Sequence, residues 1–173
     1  MILISLLCFL TSCVSVKKLE KLNPKEIDEF SLKKFNGFYE NTNLNDSINV
    51  ALWDKLYELK RKKTDTIDFN EISKIKLNFD NKKTLTITAF NNDKIISEFK
   101  IKSKIKNSYL SLKRKLFLIP LPFVFYTQSE RKIILGNNNK GELIMKYGYG
   151  EFAWILIMAG GYDGINSYKF KKE

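Results

Sequence analysis

Residues 74–91 read KIKLNFDNKKTLTITAFN, and this stretch decides the fold because apolar and polar residues alternate on both sides of a polar turn. Alternation with a period of two places successive side chains on opposite faces of a β-strand. The residues DNKK at 80–83 are typical of a turn between two strands. The stretch therefore predicts an antiparallel hairpin with one buried face.

The alternating pattern continues towards the C-terminus in short segments separated by polar or Gly-rich turns. Such segments predict a meander of β-strands, and they lie at 95–102, 106–115, 117–126, 131–136, 142–147, 152–158 and 165–170. Evenly spaced strands favour a mainly β fold, in which an antiparallel meander of about 8–10 strands closes into a barrel because closure removes exposed edges. An open antiparallel sheet packed on a helix, an α+β fold, is the alternative.

One helix is expected before this meander. The apolar residues of segment 48–60 recur at helical spacing and would form one buried face. Asp46 or Ser47 is suited to cap the helix, because a side-chain oxygen at that position accepts a hydrogen bond from a free backbone N–H.

The N-terminus begins with an apolar run, ILISLLCFL at residues 2–10, which is shorter than the about 20 residues that a bilayer-spanning helix needs. Its length is that of the hydrophobic region of a secretory signal peptide. The run ends in Leu10-Thr11-Ser12-Cys13, which resembles the lipobox of bacterial lipoproteins. The resemblance implies that residues 1–12 are a signal peptide removed by cleavage. It also implies that the Cys13 thiol receives a diacylglyceryl group and that the new amino group receives an acyl chain such as palmitate.

The same resemblance predicts how the chain is divided and where in the cell it is located. After the signal peptide, residues 13–34 form a lipidated N-terminus and tether, and residues 35–173 form a single β-rich domain. The tether is expected to be either a flexible spacer or a short helical turn that docks Ile27 and Phe30 on the domain. The resemblance implies a lipid-anchored protein of the cell envelope. It favours the outer membrane, because Val14 rather than Asp follows the modified cysteine.

The chain contains 2 Cys and no His. Cys8 would leave with the signal peptide and Cys13 would carry lipid, so the mature domain would have neither a disulfide nor a thiol nucleophile. Without His or a free Cys, the usual protein ligands of zinc and haem are missing. We therefore expect no metal and no cofactor.

The formal net charge is +11, from 30 Lys and Arg against 19 Asp and Glu. Such an excess suits nucleic acid, anionic lipid or simply a solvated surface. The lysines are scattered, and an exported lipoprotein does not meet nucleic acid, so no nucleic-acid partner is expected. Lys113-Arg114-Lys115 lies directly before the apolar run 116–125, where it either ends a strand in solvent or contacts anionic headgroups.

The order of the predicted strands gives a second resemblance. Gly37-Phe38-Tyr39 opens the first strand and a meander follows, an order that is similar to that of lipocalin-like lipoproteins. The resemblance implies a non-enzymatic barrel that binds a small apolar or amphipathic ligand, or a partner protein. Aromatic residues would line its interior, and the candidates are Tyr39, Trp53, Phe79, Tyr109, Phe125 and Trp154.

Two other functions stay open. A filled barrel without a cavity would indicate a structural or assembly lipoprotein that docks through its surface. A hydrolase would use paired carboxylates, and the candidates are Glu151 and Asp163, which lie among glycines and aromatic residues. That activity requires one of these two acids to lie in a cleft near another acid.

We expect Cys13→Ser to abolish processing and membrane retention of the full chain in a bacterium, because a serine hydroxyl cannot carry the thioether-linked lipid. Mass spectrometry of the mature N-terminus and membrane fractionation measure these two outcomes. Cys8→Ser is the matched control, since it removes the other thiol and should change neither. A parent chain that retains an unmodified Met1 would contradict the lipidation.

Overall fold

The computed structural model of the chain describes Leu19 and residues 26–44, 50–60, 72–80, 82–106, 108–121 and 124–173. The predicted signal peptide and Cys13 lie outside these residues, and so do Asp46 and Ser47. Within the described part of the chain, no helix is long and apolar enough to cross a membrane.

Nine β-strands make up most of the described chain, as the alternating pattern predicts. They are β1 (Gly37–Glu40), β2 (Lys74–Phe79), β3 (Thr84–Asn91), β4 (Lys94–Lys106), β5 (Tyr109–Leu112), β6 (Lys115–Leu121), β7 (Phe125–Asn137), β8 (Leu143–Ile155) and β9 (Met158–Phe170). Every pair of neighbouring strands is antiparallel. The mainly β prediction is confirmed.

The strands form one meander-like sheet in the order β1-β2-β3-β4-β5-β7-β8-β9, and β6 pairs with β7 off this path. No continuous ladder closes the sheet. Among the described residues, its two ends meet at one isolated bridge between Tyr39 and Lys172. Two backbone hydrogen bonds of 3.0 Å accompany this bridge, from Glu40 to Lys171 and from Glu173 to Phe38. Closure into a lipocalin-like barrel stays a prediction, and an open sheet packed on a helix fits the same strands.

Two short helices, α1 (Leu32–Phe35) and α2 (Leu52–Glu58), contribute to the core together with one face of the sheet. Alternate strand residues such as Ile75 and Leu77 are fully buried in it. Trp53 of α2 is also fully buried. Its ring stacks on Tyr57 at a centroid distance of 5.6 Å and meets Phe99 edge-on at 5.0 Å. The predicted helix is therefore present, although it is shorter than segment 48–60.

A residue that is distant in sequence sets the start of α2. Asn41 is buried, and its Oδ1 accepts a 2.9 Å hydrogen bond from the backbone N–H of Trp53. Its backbone oxygen accepts a second bond of 2.8 Å from Leu52, and its Nδ2 donates to the backbone oxygen of Ile72 at 3.1 Å. These bonds satisfy N–H groups that a helix start leaves free. Ala51, which is extended, takes the N-cap position and makes no side-chain bond.

The segment before α1 is docked on the domain. Ile27 packs against a small cluster of Leu19, Tyr109 and Ile134, which is separate from the main core. Phe30 packs against the main core, with its ring centroid 5.2 Å from that of Phe35. Ile27 and Phe30 of the described residues 26–34 therefore pack on the domain.

Strands β7, β8 and β9 are 13 residues long and extend beyond the core. Together with β6, their outer halves form a four-stranded extension that we call the arm, comprising residues 115–121, 125–131, 149–155 and 158–164. Most arm residues are half-buried or exposed. Two neighbouring turns end the arm, and Leu156 of one donates a 3.0 Å backbone hydrogen bond to Val124 of the other.

Trp53→Ala should lower the free energy of unfolding by about 3–5 kcal/mol, because it removes a fully buried ring and leaves a cavity. Urea unfolding followed by far-ultraviolet circular dichroism measures the loss. Trp154→Ala is the matched control. Trp154 lies half-buried in the arm, so its replacement should lower the free energy of unfolding by clearly less. Equal losses in the two variants would contradict this account of the core.

Candidate functional site

The inner face of the arm continues the face of the sheet that carries the core. Strand register brings side chains into rows that cross all four strands, because directly paired residues point to the same face. The first row beyond the core contains Lys115, Arg131, Tyr149 and Gly164. The second contains Phe117, Ser129, Glu151 and Tyr162. Four strands therefore deliver polar and aromatic groups to one place.

These rows and the end of α2 enclose an open cavity of about 660 Å³, which we call the proximal cavity. Its walls combine charged, tyrosine and amide side chains, namely Lys55, Glu58, Lys115, Phe117, Ser129, Arg131, Tyr147, Tyr149, Tyr162 and Asn166. Its volume is that of a typical small-molecule site. Gly164 allows the Tyr149 ring to lie against β9, because a Cβ at that position would collide with the ring.

A network of carboxylates and their donors crosses the proximal cavity. The Tyr147 hydroxyl donates to Glu58 Oε2, and the Arg131 guanidinium donates to Glu151. The Tyr162 hydroxyl donates to the other oxygen of Glu151 at 2.7 Å. Arg131 Nε also lies 3.9 Å from Glu58 Oε2, so one guanidinium stands between two carboxylates.

Two lysines extend the network on the helix side. Lys55 Nζ donates to Glu58 Oε1 at 2.8 Å and lies 4.8 Å from the centre of the Tyr147 ring. Lys115 Nζ donates to the backbone oxygen of Glu58 at 3.0 Å. An ammonium group carries three N–H donors, and the bond to Glu58 uses one of those of Lys55. The cavity therefore has donor capacity that a ligand with acceptor oxygens would use.

The network changes the pKa values of its members. Burial raises the pKa of Tyr147, and the hydrogen bond to the Glu58 carboxylate raises it further, so the phenol stays protonated. The hydrogen bond from Tyr162 and then the bond from Arg131 hold the pKa of Glu151 below its usual value. Burial opposes the charge on Arg131, but the bond to Glu151 and the nearby acids raise its pKa overall.

A second cavity of about 520 Å³, the distal cavity, follows on the same face towards the end of the arm. Its walls are largely apolar or small, namely Phe117, Ile119, Phe125, Thr127, Gln128, Ser129, Glu151, Phe152, Ala153, Gly160, Gly161 and Tyr162. Phe117, Ser129 and Tyr162 line both cavities. The two cavities therefore form one groove with a polar proximal end and a mostly apolar distal end.

A third cavity, also of about 520 Å³, lies at the base of the arm and is strongly basic. It is lined by Lys83, Lys102, Ser103, Lys104, Ser111, Leu112, Lys113, Arg114 and Lys132. None of these lining residues is acidic, although Arg114 forms a 3.4 Å ion pair with the buried carboxylate of Glu130. Five lysines and Arg114, which are scattered along the sequence, thus meet in one basic groove.

The predicted ligand-lining residues divide between different parts of the fold. Tyr39, Trp53 and Phe79 are core residues with little or no exposure. The Tyr39 hydroxyl donates to the Phe35 backbone oxygen at 2.6 Å, and burial raises its pKa to about 12. Tyr109 belongs to the separate cluster around Leu19. None of these four lines the three cavities described above.

The remaining predicted residues lie in the arm. Phe125 lines the distal cavity, whereas Trp154 pairs with Tyr126, one position further along, and so occupies the opposite face. Glu151 lies in the groove, where Arg131 joins it to Glu58. Asp163 pairs with Gly150 and therefore belongs to the other face of β9. The structure does not bring the two candidate acids of a hydrolase together.

Sequence reasoning missed three central residues of the groove: Glu58, Arg131 and Tyr147. Glu58 ends a helix while the other two lie on strands, so only the tertiary fold unites them. The sequence does carry a signal at Arg131 and Tyr147, because the alternating pattern of β7 and β8 places both side chains on the inward face. A charged or polar residue on that face indicates a partner that is buried to the same depth.

Within the described residues, no group of three acidic, Cys or His side chains is arranged to hold a metal ion. No family model, no curated protein and no solved structure matches the chain. The groove is therefore interpreted from its own chemistry.

Glu151→Gln should reduce stability at neutral pH but not in acid. The pKa of Glu151 is lower in the folded chain than the usual 4.5, so its contribution is complete above 4.5 and is lost as the pH falls through the folded value. Urea midpoints of parent and variant, measured from neutral to acidic pH, should therefore converge on acidification. Glu29→Gln, at an exposed glutamate, is the control. A difference that persists unchanged in acid would contradict this role.

Proposed function

We propose that the protein binds a single-chain anionic amphiphile in the groove of the arm, without catalysing a reaction, while lipid on Cys13 holds it at the cell envelope. The observation that supports this function is the continuity of the groove. A polar cavity with three cations joins an apolar cavity through shared walls at Phe117, Ser129 and Tyr162. A ligand that fills both must be polar at one end and apolar at the other.

The charge of the proximal end favours an anionic head. Lys55, Lys115 and Arg131 line it, against the single acid Glu58 within the same cavity. The carboxylate of Glu151, where the two cavities join, already accepts hydrogen bonds from Arg131 and Tyr162. A carboxylate or phosphate head near the lysines gains charge-assisted hydrogen bonds, which are stronger than those between neutral groups.

The distal end suits an extended acyl chain. Ile119, Phe125 and Ala153 provide apolar wall, and Gly160 adds no side chain. Six residue steps separate Arg131 from Phe125, which corresponds to about 20 Å along a strand. Burial of each methylene group there contributes about 0.8 kcal/mol.

The charge state of the acids argues against the carboxylate-dependent hydrolase. Such a mechanism needs one carboxylic acid with a raised pKa beside an ionised partner. Glu151 does approach Glu58, but Arg131 stands between them and the pKa of Glu151 is lowered. We therefore place no catalytic residue in this groove.

A structural or assembly lipoprotein is the second candidate, because the main core is filled by side chains such as Trp53, Leu56 and Phe99. In that case the arm would serve as a docking element and the groove would need no small ligand. The two functions differ in one measurable property, namely saturable binding of an amphiphile.

Laurate is the probe for this property, with dodecanol and butyrate as its matched analogues. Isothermal titration calorimetry below the micelle concentration should show saturable binding of laurate. Dodecanol lacks the anionic head and butyrate lacks the chain, so each should bind at least about tenfold more weakly, a difference of about 1.4 kcal/mol.

Two variants separate the contributions of head and chain. Lys55→Gln should weaken the binding of laurate and leave the affinity for dodecanol unchanged, whereas Ile119→Ser should weaken the binding of both. Lys94→Gln, at an exposed lysine outside the groove, should change neither. Absence of saturable laurate binding, or equal affinities for laurate and dodecanol, would exclude the proposal.

A further inference from the structure

The end of the arm exposes a continuous apolar surface that the groove does not explain. We call it the tip, and it consists of Leu121, Val124, Ile155, Leu156, Ile157 and Met158, all of which are exposed. Ile157 is 96% exposed and Met158 is 72% exposed. Hydrophobic side chains of this size rarely gather in water unless they meet another apolar phase.

The sequence around the tip carries no charge. Segments 116–129 and 152–162 contain no Asp, Glu, Lys or Arg, although the chain as a whole has 30 Lys and Arg and 19 Asp and Glu. Each segment contains one of the two turns that Leu156 and Val124 join by a backbone hydrogen bond. Charge is thus excluded from two stretches that lie apart in the chain and together in the fold.

Aromatic side chains with polar groups lie directly behind the tip. Tyr126 pairs with Trp154 one residue behind Phe125 and Ile155, and Tyr162 is 60% exposed further back. Tyr and Trp favour the boundary between lipid chains and water, because their rings are apolar and their N–H or O–H groups are polar. The apolar tip and the aromatic residues behind it thus follow the order of polarity at a bilayer interface.

The basic groove at the base of the arm adds charge complementarity. Its six cations lie at Lys83, Lys102, Lys104, Lys113, Arg114 and Lys132, and no acid is among its lining residues. Lys132 is seven residues from Phe125, about 23 Å along the strand. An arm that is inclined to a membrane therefore brings the tip and these cations to the same surface.

We propose that the tip inserts into the interfacial region of a lipid bilayer that contains anionic phospholipids, and that the basic groove faces their headgroups. This contact is distinct from the lipid on Cys13 and from ligand binding in the groove. A bilayer suits the tip better than a rigid partner does, because the tip projects from two turns and a fluid phase adapts to its shape.

The two tryptophans of the chain provide the test, because Trp53 is fully buried in the core and Trp154 lies next to the tip. The full chain is reconstituted in phosphatidylcholine vesicles that contain phosphatidylglycerol and acyl chains brominated near the headgroup. Bromine quenches tryptophan fluorescence at short range. Quenching is expected in the parent chain and should be absent in Trp154→Phe, in which Trp53 alone emits.

Ile157→Asp tests the tip itself. With the proposed lipid on Cys13 still present to hold this variant on the vesicle, a loss of Trp154 quenching reports the tip alone. Ile95→Asp is the matched control, because Ile95 is 58% exposed on the β3–β4 hairpin and should leave quenching unchanged. Near-ultraviolet circular dichroism verifies that both variants are folded.

Three results would overturn the inference. The first is no quenching in the parent chain, including the case in which sedimentation shows that tips pair between two copies. The second is equal quenching in Ile157→Asp and the parent. The third is equal quenching in vesicles with and without phosphatidylglycerol, which would show that the basic groove does not contribute to the contact. Lys55→Gln, which tests the amphiphile site, should leave Trp154 quenching unchanged, so the two proposals fail separately.

Discussion

The uninterrupted register of β7, β8 and β9 is the constraint on which the rest of the structure depends. These strands pair residue by residue along their full lengths, from Leu143 and Phe170 at the core to Ile155 and Met158 at the end of the arm. Neither ladder contains a bulge, so the side-chain alternation that buries Ile133 also points Arg131 and Phe125 to the same face. A shift of one residue would move the groove to the other side of the sheet.

Helix α2 completes the groove, because its residues contribute both to the core and to the wall of the proximal cavity. Its inner residues Trp53 and Leu56 belong to the core, while Lys55 and Glu58 reach the proximal cavity. The cap from Asn41 therefore has an effect beyond helix stability, because it fixes the first turn and with it the position of Glu58 one helical turn later. The core and the polar network are thus coupled through a helix of seven residues.

Local patterns in the sequence predicted the strands because one-face burial imposes a period of two. The hairpin at 74–91 forms as expected, with Leu77 opposite Ile87. The start of α2 was not predictable, since its free backbone N–H groups donate to Asn41, which lies ten residues before the N-cap position. Similarly, Phe125 and Trp154 are both aromatic strand residues, yet a single-residue offset places them on opposite faces. Sequence gives periodicity within a strand, whereas the site depends on register between strands.

The polar network also separates the core from the arm along the inner face of the sheet. Beyond Arg131, that face of β7 carries Ser129 and Thr127 before it reaches Phe125. Arg131 and Glu151 are paired while keeping access to water, which avoids the cost of an isolated buried charge. The same network gives the groove two ends of unlike polarity. The polarity difference along the groove therefore depends on side chains from two neighbouring rows of the sheet.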